Sequence, residues 1–373
     1  MNSKIFTHRV FKCAQLIKER NLKALLLTKP SNMFYLTGDG RLCAYAIITE
    51  DSKVAIGIPQ TDVEDVKACA NFDLLTGFED EVGMIHAIAG HFREFGISMG
   101  TIGLEYTFLT QSMMKMVTHP HAKPEEVKVT DATPILSALR LVKEPNELDL
   151  LRTAAKIAVI GMESAIQAVK ADKTESQIAA EAEFAMRNAG AENFWQTYVS
   201  SGPRTNIAHG LPTNRLLQNG DLVMIDIHPI VNGYSSDICR TVCVGDPTDK
   251  QENAYQDYLH AQQATIAKTK AGVDIAILEK SFHDLLKAAG HGEHIFGPPI
   301  HGVGIDFEEA PLPPGHAFFH GEKEAPPLPQ NVVIAVGNCG VYTGGWGVRV
   351  EDTVIIHEDG PEILTQYPRQ LLN

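Results

Sequence analysis

Residues 220–241 read GDLVMIDIHPIVNGYSSDICRT and set Asp226 and Asp237 eleven positions apart, separated by one strand and a return. Two carboxylates so spaced can clamp a divalent cation between paired strands rather than on a single loop. Far downstream, His301 in HGVGIDFEEAP (301–311) and Glu351 in GVRVEDTV (347–354) supply further donors. Oxygen ligands with a single imidazole suit Mn, Fe, Co or Zn better than a thiolate-seeking metal.

In this order the four residues resemble the metal ligands of the creatinase, prolidase and methionine aminopeptidase superfamily, whose catalytic domain has the pita-bread fold. In the peptidases of that family a dinuclear site is built from Asp, Asp, His, Glu and Glu. The resemblance implies that Asp226, Asp237, His301 and Glu351 are four of those five ligands. Two positions depart from the pattern. Where such a peptidase reads roughly MVFTIEPGIY, residues 333–342 read VIAVGNCGVY, so Asn338 takes the place of the first glutamate. A neutral amide is a poorer ligand than a carboxylate, which weakens the second of two ions and leaves one or two ions per chain, or none, as the expectation. Glu308 stands where the family carries a second, substrate-facing histidine.

The resemblance covers essentially the whole chain, with its motifs concentrated between 195 and 357. It implies an α+β protein with a creatinase-type N-terminal α/β domain at 1–135 and a pita-bread catalytic domain at 140–373. It also implies a homodimer in which the N-terminal domain of one subunit lies near the other's site.

A length of 373 residues is more than one ordinary core needs. The net charge of −14, with no basic cluster to reverse it locally, opposes binding to nucleic acid or anionic lipid. No apolar run is long enough for a transmembrane helix, and the N-terminal twenty residues lack the apolar core of an export signal. Six cysteines without a CxxC pair fit reduced thiols in a cytoplasm. Cys239, Cys243 and Cys339 lie near proposed ligands, but the carboxylates already account for a site.

Residues 1–135 alternate helical and strand patterns: a helix near 4–20, strands in ALLLT, AYAIIT, KVAIGIP and TIGLEY, helices near 62–70 and 81–95, and one containing SMMKMV. This predicts a mixed sheet covered by helices. NLKALLLTKPSNMFYLTG (21–38) resembles the opening of the creatinase-type N-terminal domain, and LTGDGR lacks the spacing of a phosphate loop. A boundary is expected between Thr133 and Glu144. A long amphipathic helix follows over 147–170, then one capped by Thr174 and Gln177 that stops at Gly190. Beyond Trp195, short apolar runs divided by Gly, Pro and Asn predict largely antiparallel strands, interrupted by a helical stretch near 250–289. No internal repeat is visible, although the superfamily fold is pseudo-symmetric. The proline-rich loop 311–330 suits a lid or subunit contact better than a metal role for His316 and His320.

His228 lies two residues after Asp226. It is a candidate extra ligand that could make up for Asn338; a regular strand would set the two about 6.5–7 Å apart, close enough to share an ion-pair site but not obviously one ion, so a packed or hydrogen-bonded histidine is the default. In SSGPRTNIAHGLPTNR (200–215), His209 resembles the family's substrate-side histidine, with a hydrogen bond to the reacting carbonyl or leaving nitrogen as its implied role. Glu351 is the implied ligand and, with Glu308, a proton shuttle, whereas Asp352 suits an exposed strand position. Arg349 could grip a substrate carboxylate or form a structural salt bridge. Glu308, beside Asp306 and Glu309, should make the pocket more negative and favour a cationic nitrogen. Tyr234 and Tyr342 are candidate pocket donors.

These features predict a metal-dependent hydrolase of Xaa-Pro dipeptidase type, acting on a small molecule or dipeptide through metal-activated water. The alternatives are a metal-independent, creatinase-like C–N hydrolase of a small nitrogenous compound, or a noncatalytic binding protein on the same scaffold.

Overall fold

A computed structural model of the chain describes residues 3–109, 127–311 and 327–371. The SMMKMV segment and His316 and His320 lie outside the described residues. The chain divides into two compact units, Met1–Leu139 and Arg140–Asn373.

The first unit holds a six-stranded mixed sheet of β1 (Ala24–Leu27), β2 (Tyr45–Thr49), β3 (Val54–Pro59), β4 (Leu74–Phe78), β5 (Gly100–Leu104) and β6 (Val127–Asp131). Its strand order is β4-β3-β2-β1-β5-β6, with β2 antiparallel to both neighbours and the other pairs parallel. Every residue of β1 and β2 is buried, the mark of a sheet covered on both faces, which is why they read as continuous apolar runs. Ile88 and Phe92 of helix Glu81–Glu94 pack with Tyr45, Ile47 and Ala55 of the sheet.

The second unit opens with helices Pro145–Ala168 and Glu175–Asn188, followed by β7 (Asn193–Phe194), β8 (Tyr198–Ser201), β9 (Leu222–Ile227), β10 (Pro229–Val231), β11 (Tyr234–Ser235) and β12 (Ile238–Cys243). Helices Asp249–Lys268 and Ile275–Ala288 come next. They precede β13 (Ile295–Phe296), β14 (Ile300–Gly302), β15 (Val333–Val336), β16 (Gly340–Tyr342), β17 (Gly347–Val348), β18 (Glu351–Ile356) and β19 (Pro361–Ile363). The stretch 250–289 is thus two helices, the second restarted by the Asp274 side chain, which accepts from the Ala276 N–H. Together the units make the α+β architecture expected, and among the described residues no helix is long and apolar enough to cross a membrane.

A repeat that the sequence hides is plain in the element order. Two helices followed by two short strands occur at 145–201 and again at 249–302. The second helix of each module also ends alike. Gly190 N–H reaches Arg187 O and Ala191 N–H reaches Met186 O; Gly290 N–H reaches Lys287 O and His291 N–H reaches Leu286 O. The hydrogen-bond pattern is kept together with only a few side chains, such as Lys170-Ala171 against Lys270-Ala271 and Ala189-Gly190 against Ala289-Gly290.

The main sheet runs β14-β15-β18-β12-β9-β8, every pair antiparallel, with β19 also on β18. Because side chains alternate along a strand, its two faces have different fates. Val223, Ile225, Ile227 and Ile238 join the core of helices 145–168 and 175–188. Ile300, Ile334, Val336, Val354 and Ile356 join the core of helices 249–268 and 275–288. By the register these residues share one face, so the intervening positions, including Asp226, Asp237, His301 and Glu351, share the other.

Candidate metal centre

Asp226 on β9 lies opposite Tyr198 on β8 and Cys239 on β12, and Cys239 lies opposite Glu351 on β18. Two rows along, His301 on β14 pairs with Ala335 and Ala335 with Thr353. The return to Asp237 is a two-residue turn, Asn232-Gly233, between paired Val231 and Tyr234. Both turn residues have positive φ, +45° and +80°, as a tight hairpin of matching twist requires. Thr353 then fixes Asp237: its hydroxyl accepts from the Asp237 N–H at 3.0 Å and donates to the Asp237 carbonyl at 2.7 Å.

The donor atoms converge in two groups, Asp226 with His228 and Asp237, and Asp237 with His301 and Glu351. All are buried, and within each group the ligand atoms lie within 4.8 Å of one another. His301 Nε2 is 3.5 Å from Asp237 Oδ2 and 3.4 Å from Glu351 Oε1. His228 Nε2 is 3.4 Å from Asp226 Oδ1 and 3.3 Å from Asp237 Oδ1. The strand-spacing objection to His228 therefore does not hold: β9 ends at Ile227, and the imidazole swings from the break before β10 to meet both carboxylates.

Burying an ion costs several kcal/mol unless it is paired, and here three carboxylates face one guanidinium, Arg349. Asp226 Oδ1, Asp237 Oδ1, His301 Nε2 and both oxygens of Glu351 are buried without a hydrogen-bond partner among the described residues. Protons respond to this deficit. Burial opposes the charge on His228, but Asp237 and Asp226 outweigh it and push the imidazole up to about 9. Burial likewise opposes charge on His301, and its carboxylate neighbours Asp237 and Glu351 prevail, holding it well above the usual histidine range. Burial and the Asp237 charge raise Glu351 to about 7, against the pull of His301 and Arg349. Asp237 is held low, because His228 and His301 overcome the cost of its burial. Orphaned oxygens, two imidazoles and a surplus of negative charge fit a divalent cation.

Arg349 touches Asp226 Oδ2 and stands 3.6 Å from Glu351 Oε2, so it is an internal partner of the cluster. Asp352 is fully buried rather than exposed: it accepts from Arg240, Gln262, Thr365 and Arg369 and anchors β18 from the opposite face. Tyr234 is placed away from the cluster, its hydroxyl donating to Glu147 at 2.8 Å. Tyr342 keeps a buried hydroxyl with no hydrogen-bond partner among the described residues. Burial raises the thiols of Cys239, Cys243 and Cys339, so none is disposed to act as a thiolate. Asn338 follows Gly337, where a Cβ would come within 1.9 Å of Val350 O, and so begins a turn against the strand end that carries Glu351.

His209 is exposed at the edge of the cluster, its ring 5.2 Å from that of Tyr198. Its loop is braced by buried Glu175, which accepts from Ser201, Arg204 and Thr213. A hairpin closed by Gly302 and Glu309 carries Phe307 and Glu308. The Phe307 ring lies 5.0 Å from His228 and 5.0 Å from Trp195. Glu308 is exposed, and its charge reaches Tyr198. Its acidic neighbours do not add to the pocket's charge as the sequence suggested, because Asp306 and Glu309 are paired with Arg140 and Lys143. Tyr198, Phe307 and Trp195 escape a sequence reading that looks for ligands. Pairing β8 with β9 would have revealed Tyr198, directly opposite Asp226.

The sequence model of Metallopeptidase family M24 matches residues 149–358, and that of the Creatinase/Prolidase N-terminal domain matches residues 9–142. A Xaa-Pro dipeptidase of Pyrococcus furiosus is 29% identical over 367 residues, covering 98% of this chain and 99% of its own. The crystal structure of a prolidase from Pyrococcus horikoshii superposes with a TM-score of 0.85 at 26% identity, over 98% of this chain and 99% of that one. A Xaa-Pro dipeptidase from Bacillus anthracis gives 0.86 at 25% identity, over 100% and 99%.

Proposed function

The chain belongs to metallopeptidase family M24 and is a metal-dependent hydrolase, and on that premise we propose that it is a Xaa-Pro dipeptidase-type enzyme cleaving an amide bond in a small substrate. The observation that carries this reading is the buried convergence of Asp226, Asp237, His301 and Glu351 with unpartnered donor atoms. These four residues would hold one or two ions of Mn, Co, Zn or Fe, the metals to which carboxylate and imidazole donors are suited. When bound, such an ion supplies a water acidic enough to act as a nucleophile near neutral pH.

The remaining chemistry belongs to the chain. Glu351, buried and 3.4 Å from His301 Nε2, would both hold the ion and relay a proton toward the departing nitrogen. His209, its ring tilted against that of Tyr198 at 5.2 Å, would donate to a substrate carbonyl oxygen or a departing nitrogen. Glu308 adds negative charge there, favouring the cationic amino group of a dipeptide. Phe307 and Trp195 offer the apolar surface that a proline ring would cover.

The same reading assigns residues 1–135 to the creatinase-type domain and 140–373 to the catalytic pita-bread domain. It extends to a homodimer in the cytoplasm; the six free cysteines support the location, and the family resemblance supports the dimer.

Assay of the chain loaded separately with Mn²⁺, Co²⁺, Zn²⁺ and Fe²⁺ against a panel of Xaa-Pro and Xaa-Ala dipeptides tests it. Metal-dependent release of free proline is expected. Absence of Xaa-Pro cleavage with every metal would overturn the substrate assignment.

A further inference from the structure

We propose that His228 is itself a metal ligand, and that Asp226, His228 and Asp237 form a second cation position in a centre that lacks a carboxylate at Asn338. This rests on the reading of the cluster as a metal centre.

The tautomer follows from geometry. His228 Nδ1 lies 2.7 Å from the Gln196 carbonyl oxygen, which can only accept, so Nδ1 carries the hydrogen. Nε2 is the atom aimed at Asp226 Oδ1 and Asp237 Oδ1, 3.4 and 3.3 Å away. Those two oxygens are buried and have no hydrogen-bond partner among the described residues. Nε2 and those two oxygens converge at ligand range, so a divalent cation between them would take the place of the proton that His228 otherwise shares with the carboxylates.

His301 is built in the same way. Its Nδ1 lies 3.0 Å from the Gly302 carbonyl oxygen, and its Nε2 faces Asp237 Oδ2 and Glu351 Oε1. Asp237 thus turns one oxygen toward each imidazole. Arg349 occupies Asp226 Oδ2 and leaves Oδ1 as the atom offered to His228. Each group then comprises one imidazole held by a backbone carbonyl, the shared Asp237 and one further carboxylate. The default of a packed histidine gives no account of this duplication. Asn338 lies beside the strand end of Glu351, in the other group, so His228 adds an imidazole to the centre without restoring the charge lost there.

Co²⁺ titration of the chelator-stripped full chain, followed by calorimetry and elemental analysis, tests the assignment in the parent, His228→Ala and His228→Gln. Loss of one ion per chain is expected, or weaker binding by at least the roughly 10–100-fold that an outer-sphere change costs, with circular dichroism unchanged. Parent-like stoichiometry and affinity in folded variants would overturn it. Should the variants not fold, X-ray absorption at the cobalt edge of the fully loaded parent decides. About two imidazoles per chain bound to cobalt supports the second position, and one per chain, whether one cobalt or two are held, refutes it. A parent that binds no Co²⁺ defeats the metal reading as a whole, an outcome distinct from failure of the His228 assignment alone.

Discussion

Thr353 holds Asp237 by both sides of its peptide: the hydroxyl accepts from the Asp237 N–H and donates to its carbonyl, at 3.0 and 2.7 Å. Asp237 is the carboxylate common to both donor groups, so the aim of both its oxygens depends on a residue that ligates nothing. Thr353→Val keeps the shape and removes the hydroxyl. It should lower metal affinity by about tenfold or more and destabilise the stripped chain by about 1–3 kcal/mol, since a buried N–H and carbonyl lose their partner. Calorimetric metal titration and denaturant unfolding measure the two effects; parent-like values in both would remove Thr353 from the account.

The stripped chain should lose stability as pH rises. His228, raised from 6.5 to about 9, and Glu351, raised from 4.5 to about 7, each contribute stability that is complete below the unfolded value. That stability is lost as pH climbs through the folded value. Asp237 and Glu309, both held low, act in the opposite sense and lose their contribution only as pH falls below about 4.5. Metal competes with the protons on these groups, so the gain in Tm on adding Mn²⁺ should grow from about pH 5 to pH 9. Melting curves with and without Mn²⁺ at several pH values test this, and a gain that shrinks across that interval would contradict it.

Asn338→Glu restores a carboxylate beside the strand end that carries Glu351. It should raise occupancy toward two ions per chain, or tighten the weaker ion where two already bind. Elemental analysis after equilibrium dialysis against dilute Mn²⁺ reads this directly. Equal occupancy and affinity in variant and parent would show that the missing glutamate does not limit binding.

Much of this site was legible before any coordinates. The short apolar runs around them put Asp226 and Glu351 on strands, and the order of the four donors resembles that of one metal cluster. His228 is buried and hydrogen-bonded, as its default reading had it, but its closeness to both carboxylates was not legible, because strand spacing describes Cα positions and says nothing of a strand break at 227–229 or a side chain that reaches back. Asp352 was taken for a surface residue because a lone carboxylate gives no hint that Arg240 and Arg369, far away in sequence, will meet it. The helical repeat was hidden for a related reason: it resides mainly in backbone hydrogen bonds, with only scattered identities such as Ala189-Gly190 and Ala289-Gly290.

Glu308 is exposed, so its effect on substrate should be modest and sensitive to salt. For a dipeptide with a free amino group, Glu308→Gln should raise KM by about fivefold at low ionic strength, corresponding to about 1 kcal/mol for charges about 4 Å apart in water. The change should shrink at high salt and leave kcat near the parent value. A fall in kcat with KM unchanged would instead place Glu308 in proton transfer.

The central claim is that the buried donors hold metal, and metal content per chain tests it most directly. The chain is purified without chelator and analysed for its elements, then again after soaking in Mn²⁺, Co²⁺ and Zn²⁺, beside Asp226→Ala and His301→Ala. About one or two tightly held ions in the parent, and fewer in both variants, is the predicted result. No retained ion in the parent under any of these conditions would contradict the account.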